Sequence, residues 1–560
     1  MTTIDVASST ISAAASASVT IPVIPAVRTI SVGAGSVRLA SGTGIHMDAA
    51  VADVVERFVA DLEIDSGIAL DLTSRTDAAT PAITVGLGFV APDDLPLAAG
   101  VRADGRPLAE ADERYELVIG TRGIRVRAVT PEGAHRALTT LRQMISAAAV
   151  DDCADLPEVT LLDGPRFAWR GLSLDVVRTF HGSETVRRVI DMCSLYKLNV
   201  LHLHLTDDQG WRFEVPGWPL LAEVGGAGAV GDRPGGHFTQ ADIADLVTYA
   251  AERFVTIVPE VDLPGHAQAI FRAYPELAPE PTPESAAAAA AGFAMGTLDL
   301  DRGPTRRFLE DVIAAAIEQF NTSAWIHVGG DEAFGMGRED HAAFVEAAMD
   351  VVKRRGRRAL GWQEAGRSAV GPDDVVQYWI EPNETLQMLE SGVLQSMLPP
   401  EVALVLEATM RESTNDVPEA LAKGARVLVS PTPRLYFDRP HVGPAASDAQ
   451  EAQRQRVGLP FYPPTSLRDM VEWDPLQETP GAHSEDQLIG VEAALWCETV
   501  TDRDDLEFLL LPRLAGAGER AWSAAPTEWA EYSRRLSSGP RTWNNRGWVW
   551  FRSTEADWLD

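Results

Sequence analysis

From Arg166 onward the sequence repeats one alternation: a short run of apolar residues, then a longer stretch with apolar residues three and four apart. Strands separated by helices do not pair as tight hairpins. Each helix carries the chain back to the same edge, so successive strands run parallel. The runs fall at 171–176, 200–205, 256–261, 325–329, 358–362, 375–379, 426–430 and 490–496. Eight is the number that closes a parallel (β/α) barrel. An open doubly wound sheet can be drawn from the same runs, but no glycine-rich phosphate loop follows the first of them.

A barrel of this kind keeps its chemistry at the C-terminal ends of its strands. The stretch 326–334, I-H-V-G-G-D-E-A-F, starts as a buried strand and ends in adjacent carboxylates, Asp331 and Glu332. Two glycines before them allow close approach of backbone or ligand. Taken alone, Asp-Glu after a strand also reads as the opening of a helix. The other strand ends weigh against that plain reading. The first leads to Asp175 and Arg178, and the second to His202, His204, Asp207, Asp208 and Arg212. The third leads to Glu260, Asp262 and His266, the fifth and sixth to Trp362 and Trp379, the seventh to Tyr436 and Asp438, and the eighth to Trp496 and Glu498. Packing does not call for polar groups at so many strand ends. Several indole faces with a few carboxylates and one guanidinium suit a sugar ring, whose C–H surface stacks and whose hydroxyls bond to charged groups.

Composition narrows the partners. A formal net charge of −33 repels phosphate backbones and anionic membranes. No apolar run reaches the roughly 18 residues of a membrane span. Three cysteines form no disulfide framework. Residues 1–25 lack Lys, Arg and the apolar segment of a secretory signal. The expectation is a cytoplasmic protein that binds neither nucleic acid nor membrane.

Four regions are expected. Residues 1–25, rich in Ser, Ala and Thr, form a loose lead-in. Residues 26–165 form a smaller α+β accessory domain, with helices at 51–64 and 131–145, a strand at 82–89 and a hairpin at 115–119 and 124–128; a linker lies near 151–165. Residues 166–525 form the catalytic barrel, with insertions at 275–296 (a loop with a short helix) and 381–424 (extra helices over the barrel). Residues 526–560 form a helical tail packed on it, whose Trp529, Trp543, Trp548, Trp550 and Trp558 suit core packing.

The segments 174–180, 201–212, 259–266, 327–332, 361–364, 473–475 and 490–498 resemble glycoside hydrolase family 20, the β-N-acetylhexosaminidases, and run in family order. H-V-G-G-D-E is moderately specific alone and highly specific with L-T-D-D-Q-G-W-R and P-E-V-D-L-P-G-H upstream. The resemblance implies a C-terminal (β/α)8 barrel behind a smaller α+β domain. It also implies exo-acting release of terminal β-linked N-acetylhexosamine from oligosaccharides or glycoconjugates, with no metal and no cofactor. An ordinary retaining glycosidase needs an acid and a nucleophile about 5–5.5 Å apart, and neighbours on one strand end are poorly placed to straddle the anomeric carbon. The family route is substrate-assisted: the 2-acetamido oxygen attacks and forms an oxazolinium ion.

By this resemblance Glu332 is the general acid and base, Asp331 holds the acetamide N–H, and Tyr436 donates to the acetamido oxygen. Trp362, Trp379 and Trp496 wall the sugar, and Trp473 stands at the rim. Arg178, Asp438 and Glu498 bind hydroxyls, while Asp207 and His266 stand behind Glu332 and orient it. The chain departs from the family pattern at R-T-F-H (178–181) and at Gln363 of G-W-Q-E, where an acidic residue is common. Two other readings stay open: a metal-dependent barrel hydrolase using His202, His204, His266, His327 and Asp331, and a non-catalytic amino-sugar binder. The choice between N-acetylglucosamine and N-acetylgalactosamine, and a homodimeric assembly, are also left open.

Overall fold

A computed structural model describes residues 20–72, 82–282, 285, 295–392, 396 and 400–559. Its second half is a closed barrel of eight parallel strands: β9 (Trp169–Asp175), β10 (Val200–His204), β11 (Thr256–Glu260), β12 (Trp325–His327), β13 (Arg358–Trp362), β14 (Val375–Tyr378), β15 (Arg426–Val429) and β16 (Leu488–Leu495), with β16 pairing back onto β9. Each strand lies within two residues of its predicted bounds. Nearly every strand residue is buried, because helices cover the outside and side chains fill the inside. One residue from each strand plugs the N-terminal end: Trp169, Val200, Val258, Trp325, Leu360, Val375, Leu428 and Ile489.

Ahead of the barrel stands a sheet of β1 (Thr29–Ala40), β2 (Gly44–Met47), β3 (Asp71–Leu72), β4 (Ala82–Leu87), β5 (Tyr115–Gly120), β6 (Gly123–Ala128), β7 (Ala149–Val150) and β8 (Cys153–Asp163). The order is β1-β8-β5-β6-β4-β2-β3, with β7 also on β8. Helices α1 (Ala52–Ser66) and α2 (Pro131–Ala148) pack on it. Thr130 caps α2 by accepting from the Gly133 N–H, and Pro131 takes the position where a missing N–H is harmless.

Two expectations fail here. The expected linker at 151–165 contains β8, an interior strand between β1 and β5. Its Pro157, which argues against a ladder, sits opposite Ser36, where the register of β1 shifts. Nor are residues 20–25 loose. Ile21, Val23 and Ile24 are buried, and the Ile24 N–H and carbonyl both bond to Gln143 of α2. The lead-in's residues 1–19 lie outside the described residues.

The two units meet at a buried charge cluster. Glu113 accepts from Arg170 at the base of the barrel at 2.6 Å and from Arg136 of α2 at 2.7 Å. Nearby, Lys197 pairs with Asp163 at 3.0 Å. In the tail, helices span Trp529–Leu536 and Gly539–Asn545; Trp543, Trp548 and Trp550 are buried in the barrel's core, with Trp529 and Trp558 packed against it. The insertion at 381–424 holds helices at Pro382–Glu390, Pro400–Ser413 and Asp416–Ala422. Among its described residues, the one at 275–296 holds a 3-10 turn, Pro275–Leu277, and a helical residue, Ser285; its alanine run, 286–291, lies outside the described residues. Among the described residues no helix is long and apolar enough to cross a membrane.

Candidate active site

Inward-facing positions of the barrel change from apolar to polar on passing from plug to mouth. Above Val200, β10 points His202 and then His204 inward, as the period of two demands. Glu492 of β16 accepts from the Trp169 indole at 2.7 Å and from Gln377 at 3.1 Å, and pairs with His202 at 2.9 Å. Glu260 of β11 is the next hub, bonded to His204 at 2.6 Å and to the Trp362 indole at 2.7 Å. His204 in turn meets Asp207 at 2.9 Å. Burial opposes charge on both histidines, but Glu260 together with Glu492 at His202 and with Asp207 at His204 outweighs it, and both are raised to about 9. The ladder's hydrogen bonds and ion pairs engage both histidines with Glu260, and donors of His202, Glu260 and His327 lie within 4.8 Å of one another. His202 sits beneath the mouth; His204, the last residue of β10, reaches it, 5.1 Å from the Trp496 ring and 3.3 Å from Arg178.

The ladder ends at a turn shaped by its glycines. After β12, Gly329 and Gly330 have φ of 68° and 102°. A Cβ on Gly329 would fall 1.7 Å from Asp262 Oδ1, which accepts the Gly330 N–H at 3.0 Å. Glu332 has φ of 47°, a conformation that costs a glutamate roughly 1–3 kcal/mol. The next helix, Arg338–Arg354, begins only after Gly337, so Asp331 and Glu332 do not cap it.

His266, also at positive φ, faces four carboxylates. Its Nδ1 lies 3.3 Å from Asp207, and its Nε2 lies 3.7 Å from Glu332 and 3.9 Å from both Asp331 and Asp262. Burial opposes its charge, but Asp207 and Asp262 hold it well above the usual histidine range. Burial and repulsion from Asp262 push Asp331 well above the usual carboxyl range. Burial likewise lifts Asp262 to about 8. Glu332 is raised by burial, with His266 and Arg178 pulling the other way.

Arg178 donates to Asp207 at 2.6 Å, lies 3.9 Å from Glu498 and stands over the Trp496 face at 5.0 Å. Beside it the Tyr436 ring lies nearly parallel to Trp379 (10°, 6.3 Å) and 6.1 Å from Trp496. At the mouth, four buried carboxylate oxygens have no hydrogen-bond partner among the described residues: Asp331 Oδ1, both oxygens of Asp438 and Glu498 Oε2. A buried oxygen of this kind is costly unless a donor arrives. A cleft of about 250 Å³ opens here, lined by Arg178, Asp208, His266, Met295, Phe334 and Glu498 among others.

This is an acid chamber under an aromatic wall, and its sequence has relatives. The family model described as "Glycosyl hydrolase family 20, catalytic domain" matches residues 167–525. The chain belongs to glycoside hydrolase family 20. The model for domain 2 of the same family matches residues 20–164. A β-N-acetylhexosaminidase of Cellulomonas fimi is 36% identical over 454 residues, 80% of this chain and 82% of that protein. The N-acetyl-β-hexosaminidase of Streptomyces plicatus, solved with thio-NAglucal, superposes with a TM-score of 0.78 at 29% identity, covering 96% of this chain and 98% of that one. The Streptomyces coelicolor A3(2) β-N-acetylhexosaminidase gives 0.78 at 30%, covering 96% and 99%.

Against the family pattern most expected residues gather at the mouth; two do not stand as expected. Trp473 is buried in the main barrel core, its indole N–H bonded to the Met470 carbonyl. Its motif W-D-P is a corner: Asp474 meets Arg166, and the Trp473 carbonyl accepts from Arg520. It is no rim aromatic. Trp362 is fully buried, so it forms the floor beneath Trp496, 5.8 Å away, rather than an open face. Asp175 ties strand ends together, accepting from the Val177, Arg178 and Cys497 N–H groups, while Arg212 donates to five carbonyls of the surrounding loops. At the R-T-F-H departure, the Thr179 hydroxyl bonds to the Cys497 and Val500 carbonyls and accepts from Arg233.

The sequence reading missed Phe334 and Met295 at the cleft, and Tyr462, whose phenol is pushed well up by burial and by Asp438, with Glu332 and Glu498 adding. The signal for Tyr462 was an aromatic pair beside prolines in a loop, F-Y-P-P.

Proposed function

We propose that this family 20 chain is an exo-acting β-N-acetylhexosaminidase that releases terminal β-linked N-acetylhexosamine with retention, through an oxazolinium intermediate. The observation that carries the reading is the arrangement of the two adjacent carboxylates. Glu332 is half-buried at the cleft, and Asp331 is buried behind it with one oxygen unpartnered. Glu332 protonates the leaving oxygen and then deprotonates water. Asp331 accepts the acetamide N–H and balances the positive charge that grows on the ring. Tyr436 donates to the acetamido oxygen as it attacks. The Tyr436 phenol, pushed well up by burial, keeps its proton for that bond. Arg178, Asp438 and Glu498 take hydroxyls of the terminal sugar, and Trp379 and Trp496 enclose it over the Trp362 floor.

The test is a paired assay. Aryl β-N-acetylglucosaminide is expected to release aryl alcohol rapidly, and the matching aryl β-glucoside, lacking the acetamide, at least about a thousandfold more slowly, since a well-held internal nucleophile is worth that much or more. Comparable rates would show that the protein supplies its own nucleophile and would remove the roles of Asp331 and Tyr436.

His266 gives a second test. Its cation lowers the proton affinity of Glu332, so His266→Gln should raise it. The acid must be protonated to act, so activity falls as pH rises through the Glu332 titration. The alkaline limb of kcat/KM should therefore move to higher pH in the variant. A limb that stays in place or moves down would separate His266 from the acid.

A further inference from the structure

The insertion between β14 and β15 is longer than a strand-to-strand crossover needs. Its helix Pro382–Glu390 buries Leu389, and its helix Pro400–Ser413 buries Leu406 and Met410. These three side chains share one apolar cluster with Phe334, Trp362, Trp379 and Tyr436, separate from the main barrel core. The insertion thus supplies the outer packing of the aromatic wall.

A polar tie joins the same two parts. The Gln363 side-chain oxygen accepts the backbone N–H groups of Trp379 at 3.0 Å and Ile380 at 2.8 Å. Its amide nitrogen donates to the Ser413 carbonyl, at the end of the insertion helix, at 2.6 Å. Glu364 accepts the Trp379 indole N–H at 3.2 Å and the Ser413 hydroxyl at 3.3 Å. Arg367 donates to that hydroxyl at 2.7 Å and is itself held by Asp416 of the insertion. Gln363, Glu364 and Ser413 are almost completely buried. Position 363 must accept two N–H groups and donate to one carbonyl. An amide does both and a carboxylate does not, which accounts for glutamine at the G-W-Q-E departure.

We infer that the insertion is the specificity element of the acyl pocket: it fixes the stance of Trp379 beside Tyr436 and so sets the largest N-acyl group that the enzyme accepts. This rests on the reading that Trp379 and Tyr436 enclose the substrate's acetamide. Leu406, Met410 and Ser413 are positioning residues, acting through Trp379.

The test compares aryl β-glucosaminides carrying N-acetyl, N-propionyl and N-butyryl groups, on the full chain and on Met410→Ala and Ser413→Ala, with thermal melts to establish folding. One methylene in an apolar pocket changes kcat/KM by roughly 10–200-fold, so the unaltered enzyme should disfavour N-propionyl by at least about tenfold. Met410→Ala removes volume behind the wall, and the propionyl-to-acetyl ratio should rise by about tenfold. Ser413→Ala should shift the ratio the same way and raise KM for the N-acetyl substrate more than it lowers kcat. Variants that fold and lose activity equally on all three substrates would overturn the inference, since a merely structural role scales every substrate alike. An unaltered enzyme that releases nothing from the N-acetyl substrate would overturn the function itself, and this inference with it.

Discussion

Glu332→Gln is expected to lower kcat on substrates with poor leaving groups by roughly 10²–10⁴-fold, the usual contribution of a positioned proton donor. Glutamine keeps the shape of the side chain and loses the proton. Binding should survive, because Arg178, Asp438, Glu498 and the aromatic wall are untouched. The loss should depend on the leaving group: a dinitrophenolate departs without a proton, whereas an alkyl alcohol or a sugar hydroxyl does not. Steady-state kinetics across a leaving-group series therefore checks the role itself. A uniform loss along the series would assign Glu332 to shaping the site, and unchanged turnover would remove it from the chemistry. The left-handed backbone of Glu332 is equally available to glutamine, so the melting temperature should stay close to that of the unaltered chain.

Asp331→Asn is expected to lower kcat by about 10²–10³-fold, the size seen when one preorganised charge-stabilising group is lost. Asp331 Oδ1 is buried with no hydrogen-bond partner among the described residues, while burial, Asp262 and Glu332 push the carboxyl toward its neutral form. The substrate's acetamide N–H and the growing positive charge on the ring both favour the carboxylate instead. Asparagine retains an acceptor for the N–H but supplies no charge. The loss should thus fall on kcat more than on KM, and a good leaving group should not relieve it, in contrast to Glu332→Gln. Kinetics on the same leaving-group series separates the two residues. The neutral amide also removes repulsion with Asp262, so the variant's thermal unfolding temperature should be no lower than that of the unaltered chain. A loss confined to KM would make Asp331 a binding group only.

The barrel and much of its site were legible because both lie in local pattern. A parallel strand buried on both faces is a short apolar run, and the polar residue that ends it faces the mouth, so Asp331, Glu332, Arg178 and Tyr436 could be placed from spacing and motif. Where local pattern misled, a tertiary contact had replaced it. Pro157 disguised β8 as a linker, because the register shift that accommodates it lies in β1, some 120 residues earlier. Trp473 sits in a family motif, yet its indole bonds to Met470 and packs in the core, and nothing in W-D-P shows which way the ring turns.

The sequence by itself determined the parallel barrel, the order of its strands, and the set of acids, aromatics and the arginine that crown them. Hydrophobic period and strand-end chemistry are properties of neighbours along the chain. Only the tertiary structure decided which of those groups meet. It gathered four carboxylates around His266, made Glu260 the hub beneath the mouth, put Trp362 in the floor, and brought Ser413 of the insertion against Gln363 and Glu364. The physical reason is closure: which inward residues share a layer depends on the tilt and register of eight strands joined in a ring, and those are fixed only when the last strand pairs with the first.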